Sequence, residues 1–192
     1  MNEKKLNILI NKAIKKGDLV TIKEIYKTNE SKLQNTLSKK FRFACETSTK
    51  PVLVFLFNEW KTTIKPNSRF DSEIENALIF LIKKNNDFFF DIIDEFTDNK
   101  YQEAKHRLFN ISVSYGNIAV IEYYLQDRDI DPSENKNSTL LILLRKIETS
   151  PNKNKLKKIL NILNQDERVI AMAVKLDQYE LLPDTAKDMF LF

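Results

Sequence analysis

The chain has 192 residues, 42% of them hydrophobic and 30% charged, with 31 basic and 27 acidic side chains for a formal net charge of +4. That balance belongs to a folded globular protein and excludes a disordered tail. With 2 glycines, 1 cysteine and 1 histidine, it also excludes glycine-clustered nucleotide loops, an intramolecular disulfide and a zinc site built from three or four Cys or His ligands.

From the N-terminus, the charged stretch Met1-Asn2-Glu3-Lys4-Lys5 leads into Leu6, Ile8, Leu9, Ile10, Ala13 and Ile14. Asn7, Asn11 and Lys12 interrupt that run, so it reads as an amphipathic helix and not as a signal-peptide core. Ala13 to Ile25 then places Gly17-Asp18 between two apolar segments. Because Gly adopts φ > 0 without steric cost, this pattern predicts a helix, a left-handed turn and a second helix. The same pattern returns in Ser112 to Tyr124 around Gly116-Asn117. Between them lie two weaker copies. Phe43-Ala44-Cys45 precedes Ser48-Thr49 and the run Val52 to Phe57, with Pro51 near the start of the second helix; Ala77 to Ile82 precedes Asn85-Asn86 and then Phe88 to Ile93. Asn is the residue after Gly best able to take the left-handed turn. A fifth unit runs from Leu140 to Ile147, breaks over Glu148 to Asn154 and resumes from Leu156 to Leu163. A truncated sixth has Ala171, Ala173 and Val174, a turn near Asp177-Gln178 and a last helix from Tyr179. A two-helix unit repeated in this way predicts an all-α helical-hairpin solenoid forming one domain over 1–192, with units at 6–35, 36–70, 71–103, 104–137, 138–169 and 170–192.

The stretch Gly116 to Ser133, followed by Asn137, resembles ankyrin repeats of the divergent kind common in giant viruses and amoebae, and Ile162 to Val169 is similar to the end of the same unit. The scarcity of Gly and the abundance of Lys, Asn and Ile suit such an AT-rich source. The turn positions Gly17, Ser48, Asn85, Gly116, Lys155 and Asp177 stand 31, 37, 31, 39 and 22 residues apart, close on average to the repeat of about 33 in ankyrins. The family's Thr-Pro-Leu-His start motif is absent, with Ser138-Thr139-Leu140-Leu141 its nearest relic, so plain loops replace hairpins as an alternative. The resemblance implies a stack of helix pairs used for protein recognition. It nominates the residues just before each turn, Lys12, Lys16, Arg42, Glu46, Lys84 and Tyr115, as the concave binding surface.

No cofactor, metal or catalytic residue is expected. Cys45 sits in an apolar helix and reads as a structural thiol, and His106 between Lys105 and Arg107 as a solvated or capping side chain. Asp127, Asp129 and Asp131 have the spacing of a calcium loop, but Pro132 and Ser138 stand where its Gly and Glu belong, leaving a polar turn. Lys39-Lys40-Phe41-Arg42-Phe43 mixes basic and aromatic residues, yet the interleaved signs along the chain argue against nucleic acid. Trp60, the sole tryptophan, is expected to open the connection Lys61 to Ser72, either as a binding anchor or as a cover over the core edge. The tail Met189-Phe190-Leu191-Phe192 is expected to close the last unit or to dock elsewhere. The longest apolar runs are far short of the about 18 residues of a membrane span. Together with the single cysteine they suggest a cytoplasmic or intracellular protein, in a host cell or a virion. The expected function is a non-enzymatic scaffold for an unidentified protein partner, with a structural component of an assembly or an RNA-binding helical repeat as rivals.

Overall fold

The computed structural model describes residues 2–63, 70–97, 99–127, 130–149 and 153–176. Among them every regular element is helical and no strand is present. In chain order these are α1 (Glu3–Lys16), α2 (Leu19–Leu33), a 3₁₀ turn at Gln34–Thr36, α3 (Leu37–Thr47), α4 (Lys50–Thr63), α5 (Ser72–Lys84), α6 (Phe88–Ile93), α7 (Asn99–Tyr115), α8 (Ile118–Gln126), α9 (Glu134–Thr149), α10 (Lys153–Leu163) and α11 (Glu167–Lys175). They divide into two compact units, Met1–Ala104 and Lys105–Phe192, with the boundary inside α7.

The turns follow the chemistry of their residues. Gly17, Asn85 and Gly116 all hold φ in the left-handed region, at 69°, 48° and 72°. At each, the turn residue's N–H bonds the carbonyl three residues back and the next N–H bonds the carbonyl five back, as in Asp18 to Ala13 (3.0 Å), Asn86 to Leu81 (2.9 Å) and Asn117 to Ser112 (2.9 Å). These bonds satisfy carbonyls that the helix end leaves open. The following residue then starts the next helix. Asp18 accepts from Thr21 N and Asn117 from Val120 N, while Asn86 accepts from Phe88 N. The Thr21 hydroxyl adds a bond of 2.7 Å, and these contacts hold the Asp18 carboxyl below its ordinary range. Ser48 departs from the pattern: its backbone is extended, and Thr49 instead provides the carbonyl for Val52 and Leu53.

Counted back from Gly17, Ser48, Asn85 and Gly116, burial recurs in register. Three residues before the turn stand Ile14, Cys45, Ile82 and Val113; four before, Ala13, Ala44, Leu81 and Ser112; seven before, Ile10, Phe41, Leu78 and Phe109; all are buried. Eleven before, Leu6, Leu37 and Ile74 are buried aliphatics, and Lys105 occupies the fourth place. This stripe is the one a helix must bury at three-, four- and seven-residue spacing. Of the apolar second-helix residues, Ile22 and Ile121 are fully buried, while Leu19, Ile25, Ile118 and Leu125 are half-buried.

First helices of neighbouring pairs pack on one another, α1 on α3 and α3 on α5 in the first unit, α9 on α11 in the second. Two bonds repeat across this packing. Lys40 Nζ donates to Asn11 Oδ1 at 2.9 Å and Thr139 Oγ1 donates to Asn110 Oδ1, each spanning 29 residues. Asn11 and Asn110 both stand six residues before a turn glycine.

Three expectations need correction or limits. Trp60 lies within α4, which continues to Thr63, because no Gly or Pro stops the helix after Glu59. The break in the fifth unit is shorter than 148–154, since α9 extends to Thr149 and α10 begins at Lys153. The turn near Asp177, the helix from Tyr179 and the tail Met189–Phe192 lie outside the described residues.

Candidate functional site

The residues nominated before the turns lie at or near the C-terminal ends of first helices, where the helix geometry turns them away from the buried stripe. Lys12 and Lys16 on α1 and Lys84 on α5 are exposed, and Tyr115 at the end of α7 is 51% exposed. The structure places Lys12, Lys16, Arg42, Glu46 and Lys84 in the first unit and Tyr115 in the second.

Arg42 and Glu46 are not independent. The Arg42 guanidinium donates a hydrogen bond to Glu46 Oε1 through Nη1 and forms an ion pair with Glu73, its Nε 2.7 Å from Oε2; the Glu46 contact is also 2.7 Å. The first contact is an i,i+4 pair on α3; the second ties α3 to the first turn of α5, whose N-cap Asp71 accepts from Glu73 N and Ile74 N. One cation therefore serves two carboxylates, and the surface around it carries both signs.

Trp60 is 1% exposed and offers no face to a partner. Its ring stacks on Phe57 with centroids 5.5 Å apart and meets Phe96 at 5.7 Å. Phe41, Phe70, Phe88 and Tyr101 extend the same cluster through ring contacts of 5.3–6.4 Å. Edge-to-face and offset pairs of this kind add to the apolar burial that holds α3, α4 and α6 together.

Groups with chemical potential are engaged structurally. Burial, followed by the charge of Glu46, pushes the Cys45 thiol far above its ordinary range, which disfavours the thiolate. His106, in the middle of α7, bonds Glu134 Oε2 through Nδ1 at 2.7 Å and so reaches the start of α9. Asp127 receives Lys105 Nζ at 2.6 Å, and Asp131 accepts from both the N–H and the hydroxyl of Ser133, closing an Asx turn. Asp129 lies outside the described residues. Among the described residues no group of three or more His, Cys, Asp or Glu side chains could hold a metal ion. No described helix is long and apolar enough to cross a membrane.

The basic-aromatic segment at 39–43 is split by burial. Lys40 is only 6% exposed and Phe41 fully buried, while Lys39 stays exposed. Burial, and then the charge of Lys39, pulls the Lys40 ammonium below its ordinary range.

Sequence reasoning missed a groove on the second helices. Between α2 and α4 lies a concavity of about 520 Å³, floored by Leu19, Pro51, Val54 and Phe55 and flanked by Lys23 and Lys50. The signal available for it was Val54, an aliphatic on the otherwise polar side of α4 that is 38% exposed. Comparison of the chain with family models, with curated proteins and with solved structures finds no match.

Proposed function

We propose that this chain is a non-enzymatic scaffold, an ankyrin-like solenoid of helix pairs that holds a protein partner on the surface formed by its first helices. The observation that carries the reading is the shared register. The left-handed turn recurs at Gly17, Asn85 and Gly116, the same positions before each turn are buried, and first helices pack on one another. A helix pair cannot bury its apolar stripe alone, so pairs stack, and stacking leaves an extended face for recognition. Lys12, Lys16 and Lys84 supply the exposed cations on that face, and the Arg42, Glu46 and Glu73 cluster supplies fixed charge of both signs.

Capture with the purified chain, compared with a Lys12→Glu, Lys16→Glu, Lys84→Glu variant, tests the assignment. The triple variant should melt like the parent, because all three side chains are exposed, and should retain much less of the same cross-linked protein. Equal retention by both would remove the first-helix surface from the proposal. A parallel titration with labelled single-stranded RNA separates the rival class. A nucleic-acid binder making six to ten phosphate contacts loses roughly 10³-fold or more in affinity between about 50 and 200 mM salt. Sub-micromolar RNA binding with that slope would overturn the protein-scaffold reading.

A further inference from the structure

The groove between α2 and α4 has a pattern of its own. In the next interval, between α4 and α6, Lys50 Nζ reaches Asp91 Oδ2 at 2.6 Å and Lys61 pairs with Glu95, so the helices are tied together. Between α2 and α4 the bridge is a ring contact at depth, Tyr26 edge-on to Phe55 with centroids 5.6 Å apart, and the space above it is open. Lys23 lies over the Phe55 ring at 5.8 Å. A second, smaller hollow of about 160 Å³ continues from it past Tyr26 and Lys27 to Glu30 and Glu59.

Three features in this groove call for a ligand. The floor is apolar and partly exposed, in a size range typical of sites that take a few side chains. Lys23 and Lys27, one helical turn apart on α2, have no carboxylate partner among the described residues, and Glu30 follows them along the same helix. Tyr26 lines the smaller hollow, and its hydroxyl is buried with no hydrogen bond among the described residues. A buried hydroxyl without a partner is uncommon, and it is relieved by an acceptor brought in from outside.

From these we infer that the α2/α4 groove docks a short peptide segment of a partner protein that presents an aliphatic side chain, then an acid, then a base. The aliphatic side chain fills the hollow over Pro51, Val54 and Phe55. The carboxylate meets Lys23 and Lys27, a backbone carbonyl of the segment accepts from the Tyr26 hydroxyl, and the base lies beside Glu30. Grooves between helices recognise such segments by apolar anchors, while flanking charge fixes register and direction. The groove lies on second helices, so it is independent of the first-helix surface.

The test is selection from a random dodecapeptide phage library on the full chain, followed by fluorescence anisotropy with one enriched peptide synthesised with a dye. Enriched sequences should place an acid beside an aliphatic residue. Val54→Asp and Lys23→Glu should each weaken binding about tenfold or more, and changing the peptide's acid to lysine should restore about tenfold on the Lys23→Glu chain. The Lys12→Glu, Lys16→Glu, Lys84→Glu chain should bind the peptide like the parent, which separates failure of this site from failure of the first-helix surface. No enrichment, enriched peptides lacking an acid, or affinity indifferent to both groove substitutions would overturn the inference. If Val54→Asp does not fold, the charge swap at the exposed Lys23 decides alone.

Discussion

Replacing each turn glycine by alanine measures how far the fold depends on left-handed turns, and the two sites should not respond equally. At φ of 69° and 72° an L-residue is strained, at a cost of roughly 1–2 kcal/mol. Alanine recovers part of that by restricting the unfolded chain, so the backbone change alone should cost about 1 kcal/mol at either site. The surroundings then differ. A Cβ at Gly116 would meet Lys155 Cε at 3.0 Å, the far end of a flexible side chain that can swing aside. At Gly17 it would meet Thr49 Cγ2 at 3.2 Å and Oγ1 at 3.4 Å, atoms on a β-branched carbon whose rotamers are few. Thr49 also accepts the N–H bonds of Val52 and Leu53 that begin α4, so displacing it disturbs the next pair. Gly17→Ala should therefore destabilise more than Gly116→Ala, by a few tenths of a kcal/mol beyond the common 1 kcal/mol, which corresponds to a Tm loss of roughly 2–4 °C for a chain of this size. Urea titrations followed by circular dichroism resolve midpoint shifts of that order. Parent-like midpoints for both variants would refute the turn argument, and a larger loss at Gly116 would refute the contact argument.

Lys40→Met should stabilise the protein by roughly 1 kcal/mol at neutral pH, because it keeps the buried stem and removes a charge whose only hydrogen bond among the described residues is to the Asn11 amide. Since burial holds the folded ammonium below its unfolded value, the unfolded state binds more protons in the alkaline window between the two, and stability rises with pH there. The advantage of the Met variant should thus be full near pH 7 and shrink toward the unfolded lysine range; a difference unchanged across that interval would sink the explanation. Ile121→Asp, at a position with no exposure, forfeits about 1.5–3 kcal/mol of apolar burial and inserts an unpaired carboxylate, so limited proteolysis should cut within α7–α8. Parent-like resistance would show that α8 is not packed as described.

Much of the helix pairing was legible because the residues that decide it act locally. Gly17, Asn85 and Gly116 announce left-handed turns, Asp18 and Asn117 cap the helices that follow, and the stripe Leu6, Ile10, Ala13 and Ile14 has a helical period. What was not legible depends on partners distant in sequence. Lys40 reads as a solvated lysine until Asn11, 29 residues earlier, is found at its Nζ. Lys105 takes a position that elsewhere holds Leu or Ile because Asp127, 22 residues later, receives its charge. Arg42 reads as free on α3, yet Glu73 at the start of α5 claims its Nε. Trp60 reads either as a binding anchor or as a cover over the core edge, and only the approach of Phe57 and Phe96 decides for the interior. The groove over Val54 was missed for a related reason, since periodicity reports which face of a helix is apolar but not whether a neighbour covers it.

The engagement of the cations bears on what the protein could recognise. Lys50, Lys61, Lys105 and Arg168 each face a carboxylate, and at Asp166 the hydrogen bonds and charge of Arg168 outweigh burial and leave the carboxyl below its ordinary range. A nucleic-acid backbone presents one sign of charge at every about 1.7 Å along a duplex and gains affinity by displacing counterions. On the first helices of unit one it would approach Lys12, Lys16 and Lys84 but also meet Glu46 and Glu73, whose negative charge Arg42 only partly cancels. A folded protein surface carries both signs within a few ångströms, and a face of alternating character discriminates among such surfaces by register, since each misplaced pair sets like charges together. On the scaffold reading proposed above, the mixed surface that weakens attraction for a polyphosphate would select one protein partner over another, with affinity left to apolar contacts such as those available over Val54.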